Sequence, residues 1–225
     1  MRASHAAALS RRHVLPELGE GFRERGSLVF AEPVEWLLRG FTYEDSGHSG
    51  KDFYLWAFVQ PLYIPVDHIV LSYGKRLGGP SHHWSVDQLS EPEGREQLTE
   101  AVRREGLSFL ESFRGPKEFA REAEKMADSG PKNPRFHEDA AYAHLIAGER
   151  DVARRHLQDI QELVDTSAQG WQAELRTRAE QILELIADGG DPIAELDAWR
   201  PHTAFRLGLQ APASPRSDRK ARAGM

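Results

Sequence analysis

The chain has 225 residues, 40% apolar and 28% charged, which suits one large globular domain or two small ones. It contains no cysteine, so a disulfide framework, a thiol nucleophile and a thiolate metal site are excluded. The formal net charge is −6, but residues 1–13 and 210–225 each carry +3, leaving −12 on the body between them, and an acidic body repels phosphate backbones and argues against a duplex-binding face.

The two basic ends read as solvated tails. No apolar run approaches the ~18–20 residues of a membrane span. The only apolar core near the N-terminus, Ala6-Ala7-Ala8-Leu9, is too short for a secretory signal. A cytoplasmic protein is expected.

Residues 14–90 are rich in aromatics, glycine and strand formers, whereas 94–207 are rich in Ala, Glu, Arg and Leu at helical spacing. Strands first and helices afterwards predict an α+β fold: a small antiparallel sheet of about four strands with an N-terminal helix, followed by a bundle of five to six helices. In chain order, residues 10–22 read as a short helix stopped near Gly19 or Gly21. Residues 27–33 and 34–45 read as strands, and Ser46–Gly50 as the turn that joins the second to a third. That third strand starts at Phe53, and 67–74 reads as a fourth.

The stretch Phe53–Pro65 is the most apolar in the chain. On a strand, Phe53, Leu55, Ala57 and Val59 share one face, and Tyr54, Trp56 and Phe58 the other. Both faces are apolar, so both need cover. Pro61 and Pro65 cannot donate to a ladder, so the chain leaves the sheet there. The downstream helices can cover one face. The N-terminal helix covers the other only in part, which leaves a dock for a partner.

The second half gives helices over 94–113, from Pro116 to a stop at Ser129-Gly130-Pro131, from Pro134 to Ile146 with Asn133 as cap, over 150–164, over 170–188 and onward from Pro192 through Trp199. The third and fourth of these carry Ala141, Gly148, Ala153 and Leu157, small and apolar residues where two helices pack closely. This pair, about 136–165, resembles one tetratricopeptide helical pair. His137 and His144 stand where that family has aromatics, and no second copy follows at a 34-residue period. Peptide binding in that family needs several repeats, so the resemblance implies a helical hairpin and nothing more. The strand-rich half is similar in outline to small uncharacterised bacterial α/β domains, some of which serve as immunity proteins.

Three arrangements suggest chemistry. The loop 73–84 holds Gly74, Gly78 and Gly79 beside Lys75 and Arg76, and such a loop can cradle a small anion. It lacks the Gly-Lys-Ser/Thr of a phosphate loop. His68, His82 and His83, with Asp67 or Asp87, supply nitrogen and oxygen ligands without a metal-site spacing. Gly47-His48-Ser49-Gly50 falls short of a nucleophile elbow because Lys51 takes the place of the final glycine. Glu44-Asp45, Glu138-Asp139 and Asp188/Asp191 read as acids at element ends, where a helix dipole favours them. His144 and His156 read as packed or surface histidines.

The expectation is therefore a non-catalytic protein-binding protein of adaptor or immunity type, with no cofactor. Its partner contacts are expected at Tyr54, Trp56, Tyr63, Lys75, Arg76, His82, His83 and Trp84, because aromatics and arginine anchor interfaces. The alternatives are a metal-dependent hydrolase or transferase using the histidines at 68–84, and an anion sensor using the loop 74–79.

Overall fold

A computed structural model describes residues 5–46, 51–79, 82–129 and 132–209, with the side chains of 5–7 and 9–11 not described. The Gly47–Gly50 part of the expected turn, the stop at Gly130-Pro131 and the 210–225 tail lie outside these residues. The architecture is α+β, as the sequence predicts. Six antiparallel strands form one sheet: β1 (Phe22–Arg25), β2 (Leu28–Ala31), β3 (Leu37–Asp45), β4 (Asp52–Pro61), β5 (Gly74–Arg76) and β6 (Trp84–Ser85). The first five follow one another as neighbours, and β6 pairs with β4 beyond β5.

Two expected elements are corrected. The first helix, α1 (His5–Leu18), starts earlier than Ser10 and takes in part of the stretch read as a basic tail. The 67–74 segment is not a strand. After Pro61 the chain makes an excursion held by the Gln60 side chain, which accepts from Val70 N at 2.9 Å and donates to the His68 carbonyl at 3.2 Å. One buried amide thus replaces a row of ladder bonds, and only Gly74–Arg76 rejoins the sheet.

The helices are α2 (Val86–Ser90), α3 (Pro92–Ala101), a π-helical stretch (Val102–Leu107), α4 (Ser108–Glu111), α5 (Pro116–Ser129), α6 (Pro134–Ile146), α7 (Arg150–Leu163), α8 (Trp171–Ala187) and α9 (Pro192–Arg206). The expected single helix over 94–113 is thus one helical path widened in its middle. Gly106 lies in that wide turn, and a Cβ there would stand 2.5 Å from Phe41 on β3. The helix meets the sheet at a point where only glycine fits.

One large core joins both halves of the chain. Val29, Phe41, Phe53, Leu55, Ala57 and Val59 on one sheet face pack with Val14, Val102, Phe119, Tyr142, Ile160 and Ile182. A smaller cluster covers part of the opposite face: Leu28, Phe30, Leu38, Phe58 and Leu62 lie against Ala204 and Leu209, at the end of α9. The second face is therefore roofed by the last helix and not by α1, whose Val14 and Leu18 belong to the main core.

Helix α6 runs through the middle, buried from Glu138 to Leu145. Glu138, fully buried, accepts from Arg178 Nε at 2.8 Å and from Arg135 Nη1 at 3.1 Å. Asp139 accepts from the Tyr73 hydroxyl at 3.0 Å. These two acids were expected to serve a helix end, and instead they lie within the core. Burial first, and the Glu138 charge second, push the Asp139 carboxyl up to about 8, against the pull of Arg135 and the Tyr73 hydrogen bond.

The folded protein therefore keeps a proton on Asp139 that the unfolded chain gives up above about pH 4. Stability from this group falls as pH rises from about 4 to about 8. Urea unfolding of Asp139→Asn, whose amide oxygen can still accept from Tyr73, should lack that slope. The parent should lose ground against the variant by up to about 1.4 kcal/mol per pH unit across this window. Parallel stability curves would show that no proton is held there.

Candidate functional site

The eight residues expected to meet a partner fall into three places. Tyr54 and Trp56 stand half-buried on the outer face of β4, and the register sets Trp56 between Thr42 and Arg76. The Arg76 guanidinium lies 3.8 Å from the Tyr54 ring centroid and 4.8 Å from that of Trp56. The Trp56 indole donates to Glu44 at 2.9 Å. Strands β3, β4 and β5 thus build a pre-ordered stack of two aromatics under a cation. Phe58, on the same face, is sealed beneath the end of α9.

Tyr63 is 0% exposed, with its ring 6.2 Å from Trp36 and 6.4 Å from Tyr142. It is a core residue, because Leu62 N bonds to the Trp36 carbonyl and turns the chain inward after Pro61. No partner can reach it in this fold.

Lys75, His82 and Trp84 lie toward the helical side of the sheet edge. Lys75 pairs with Glu105 at 3.5 Å. His82 sits edge-on to Trp84 with ring centroids 4.4 Å apart, and the Trp84 indole donates to the Leu77 carbonyl at 3.3 Å. Gly78, at φ +86°, makes that contact possible, since a Cβ there would lie 2.6 Å from the His82 ring. Burial, and then the neighbouring His83, hold the His82 imidazole below its usual range, opposed by Glu105. His83 is exposed.

Gly78, His82 and Trp84 form one wall of a groove of about 760 Å³. The other wall is the outer face of α3 and the π-helical stretch, with Glu93, Glu96, Glu100 and Glu105 against one cation, Arg104. Residues 93, 96, 97, 100, 101 and 104 recur at helical spacing, so the acids line one side.

His68 pairs with Asp67 at 2.9 Å on the surface, and His68, His82 and His83 do not gather into a ligand set. Among the described residues, ligand-type side chains converge elsewhere, on α5, α6 and α7. One set is Glu124, His144 and His156, and the other is His137, His156 and Asp159. His156 is fully buried and His144 is 3% exposed, and their rings stack 5.9 Å apart at 13°. His144 Nδ1 lies 2.5 Å from Glu149 Oε2, and its Nε2 lies 3.6 Å from Glu124 Oε2. His156 Nε2 lies 3.9 Å from Glu124 Oε1. Its Nδ1 lies 3.2 Å from His137 Nδ1 and 3.8 Å from Asp159 Oδ2. Neither buried Nε2 has a hydrogen-bond partner. Burial above all, then the charges of His137, Arg155 and His144, push His156 down to about 4 against the pull of Asp159.

The sequence spacing carries part of this cluster. His137 and His144 are seven residues apart, about two helical turns, so they share a face. His156 lies beyond the Gly148 turn, where a hairpin brings it opposite them. No family model matches the chain, and neither a curated protein nor a solved structure matches it.

The outer stack and the core can be separated by mutation. Trp56→Ala removes a half-buried ring and a cation–π contact and should cost about 1–2 kcal/mol in urea unfolding. Phe58→Ala, two residues along the same face, should cost about 3–5 kcal/mol because it empties a sealed site. Equal losses would mean that Trp56 is as much a core residue as Phe58.

Proposed function

We propose that the chain is a non-catalytic protein-binding module whose partner presents a basic segment to the groove between Gly78, His82 and Trp84 and the acidic face of α3. The observation that carries this reading is the sign of that groove. Four glutamates line a concave surface against two cations, Arg104 paired with Glu100 and Lys75 paired with Glu105, which leaves Glu93 and Glu96 in excess, with an aromatic pair on the opposite wall.

A concave site of this size suits a peptide segment better than a flat contact. Charge of one sign in a cleft steers an opposite partner and sets its register. The excess of −12 on the body acts in the same direction. Trp84 and His82 offer apolar contact area at low entropic cost, as interface aromatics do. The Tyr54–Trp56–Arg76 stack borders the same edge strand, β5, on its other side. A partner that grips this edge reaches both surfaces. The two cations of the glycine-rich loop are already engaged, Lys75 by Glu105 and Arg76 by two rings, which favours a protein partner over a small anion.

A fluorescently labelled peptide of alternating Arg and Leu serves as probe. It should bind with an affinity that falls steeply between low and physiological salt, while an acidic counterpart does not bind. The pair Glu96→Lys and Glu100→Lys, both on the exposed wall, should weaken binding at least tenfold while lowering the melting temperature by only about 1–2 °C, through loss of the Glu100–Arg104 pair. Gly78→Ala, which displaces His82, should weaken it as well. NMR shift changes that map away from residues 78–84 and 93–105 would sink the proposal, as would binding indifferent to the charge reversals.

A further inference from the structure

We infer that Glu124, His144 and His156 form a binding site for a first-row divalent transition-metal ion, zinc in the first instance. The Nε2 atoms of His144 and His156 are buried, lack any hydrogen-bond partner and point toward the same carboxylate. A buried polar atom without a partner is costly, and two of them converging on one acid is not a pattern that packing alone maintains. The lone pair of a neutral imidazole nitrogen is what a metal ion takes.

The spacing fits. Metal–nitrogen bonds of about 2.0–2.1 Å and metal–oxygen bonds of about 2.0–2.2 Å place tetrahedral ligand atoms about 3.3–3.5 Å apart. Glu124 offers Oε2 at 3.6 Å from His144 Nε2 and Oε1 at 3.9 Å from His156 Nε2, and one ligand atom from each of the three residues lies within 4.8 Å of the other two, so side-chain shifts of about an ångström close the set. The three donors come from α5, α6 and α7, helices whose packing fixes them from three directions. Two imidazoles and one carboxylate, with no thiolate in the chain, suit zinc and its first-row neighbours, not calcium or magnesium.

The surroundings are those of a ligand set. A metal-binding histidine usually gives its other ring nitrogen to a carboxylate, which fixes its orientation. His144 Nδ1 has Glu149 at 2.5 Å, and His156 Nδ1 faces His137 and Asp159. Arg155 donates to Glu124 Oε1 at 2.7 Å, which holds the carboxylate in place and leaves Oε2 toward His144. The way in lies past Glu124 and Glu149, whose side chains are 32% and 44% exposed.

The competing account of the same geometry is an imidazolium at His144, held between Glu124 and Glu149 with no metal. The test uses the full chain without a polyhistidine tag, stripped of metal with a chelator. Zinc titrated calorimetrically at pH 7.5 should bind at one equivalent. At a hundredfold excess over its dissociation constant it should raise the melting temperature by about 5–10 °C. Cobalt in its place should give visible absorption bands of a low-coordinate site. Glu124→Gln lies at the surface and should fold, and it should weaken zinc binding at least tenfold. His144→Gln should do the same, with circular dichroism checking its fold. His83→Ala, at an exposed histidine outside the cluster, should bind as the parent does. The inference fails if zinc does not saturate a site, or if Glu124→Gln binds as tightly as the parent. It also fails if nitrogen-15 NMR finds both His144 ring nitrogens protonated and unmoved by zinc.

Discussion

Burial of α6 is the constraint on which the helical half depends. The helix lies among α5, α7, α8 and α9, and its sequence is nonetheless rich in ionisable groups. A buried charge is tolerated only when it is paired or discharged. Each acid on the helix meets that demand in a different way. Glu138 is held by two arginines, one from its own helix and one from α8. Asp139 keeps its proton and accepts from a tyrosine of the sheet-side loop. The bundle is thereby tied to the sheet by polar contacts as well as by packing, through Tyr73 at 66 residues' separation. The histidines of the same helix complete the pattern: His144 finds Glu149 for one nitrogen and leaves the other facing a carboxylate it does not reach.

The sheet is organised by strand β4, which pairs with β3 along its whole length and with β5 and β6 in succession on its other side. Its inner face supplies the core. Its outer face changes character along its length, from a half-buried stack at Tyr54 and Trp56 to a sealed contact at Phe58. Both candidate surfaces sit at the β5 edge, where pairing with β4 is short and the chain departs into loops. Loops on a rigid scaffold are where binding groups commonly stand.

The α+β plan was legible because its signals are local. A short, continuous aromatic and aliphatic run at 53–59 marks a strand, and apolar stripes ended by glycine or opened by proline mark the helices from Pro116 onward. The excursion over 62–73 was not legible, since Ile69-Val70-Leu71 has strand composition and only a long-range amide from Gln60 holds it out of the ladder. The inward turn of Tyr63 escaped for the same reason: an aromatic in a proline-flanked segment looks alike whether it faces solvent or core. The histidine cluster depends on three helices meeting. His137 and His144 could be placed on one face from their spacing, but nothing in a linear pattern says that Glu124 and His156 arrive beside them. The glutamates of the α3 wall recur at helical spacing, but an acidic helix face alone is an ordinary solvated surface, and nothing in a linear pattern brings Gly78, His82 and Trp84 opposite it.

The roof over the outer sheet face has a consequence for synthesis. The strands that form the sheet lie within residues 22–85, whereas Ala204 and Leu209, which close the patch of Leu28, Phe30 and Phe58, come more than a hundred residues later. At translation rates of about 5–20 residues per second, that patch stays uncovered on the order of ten seconds while the helices are still being made. During that interval the nascent chain presents an oily surface with nothing of its own to close it, so the cover of this face waits on the last helix.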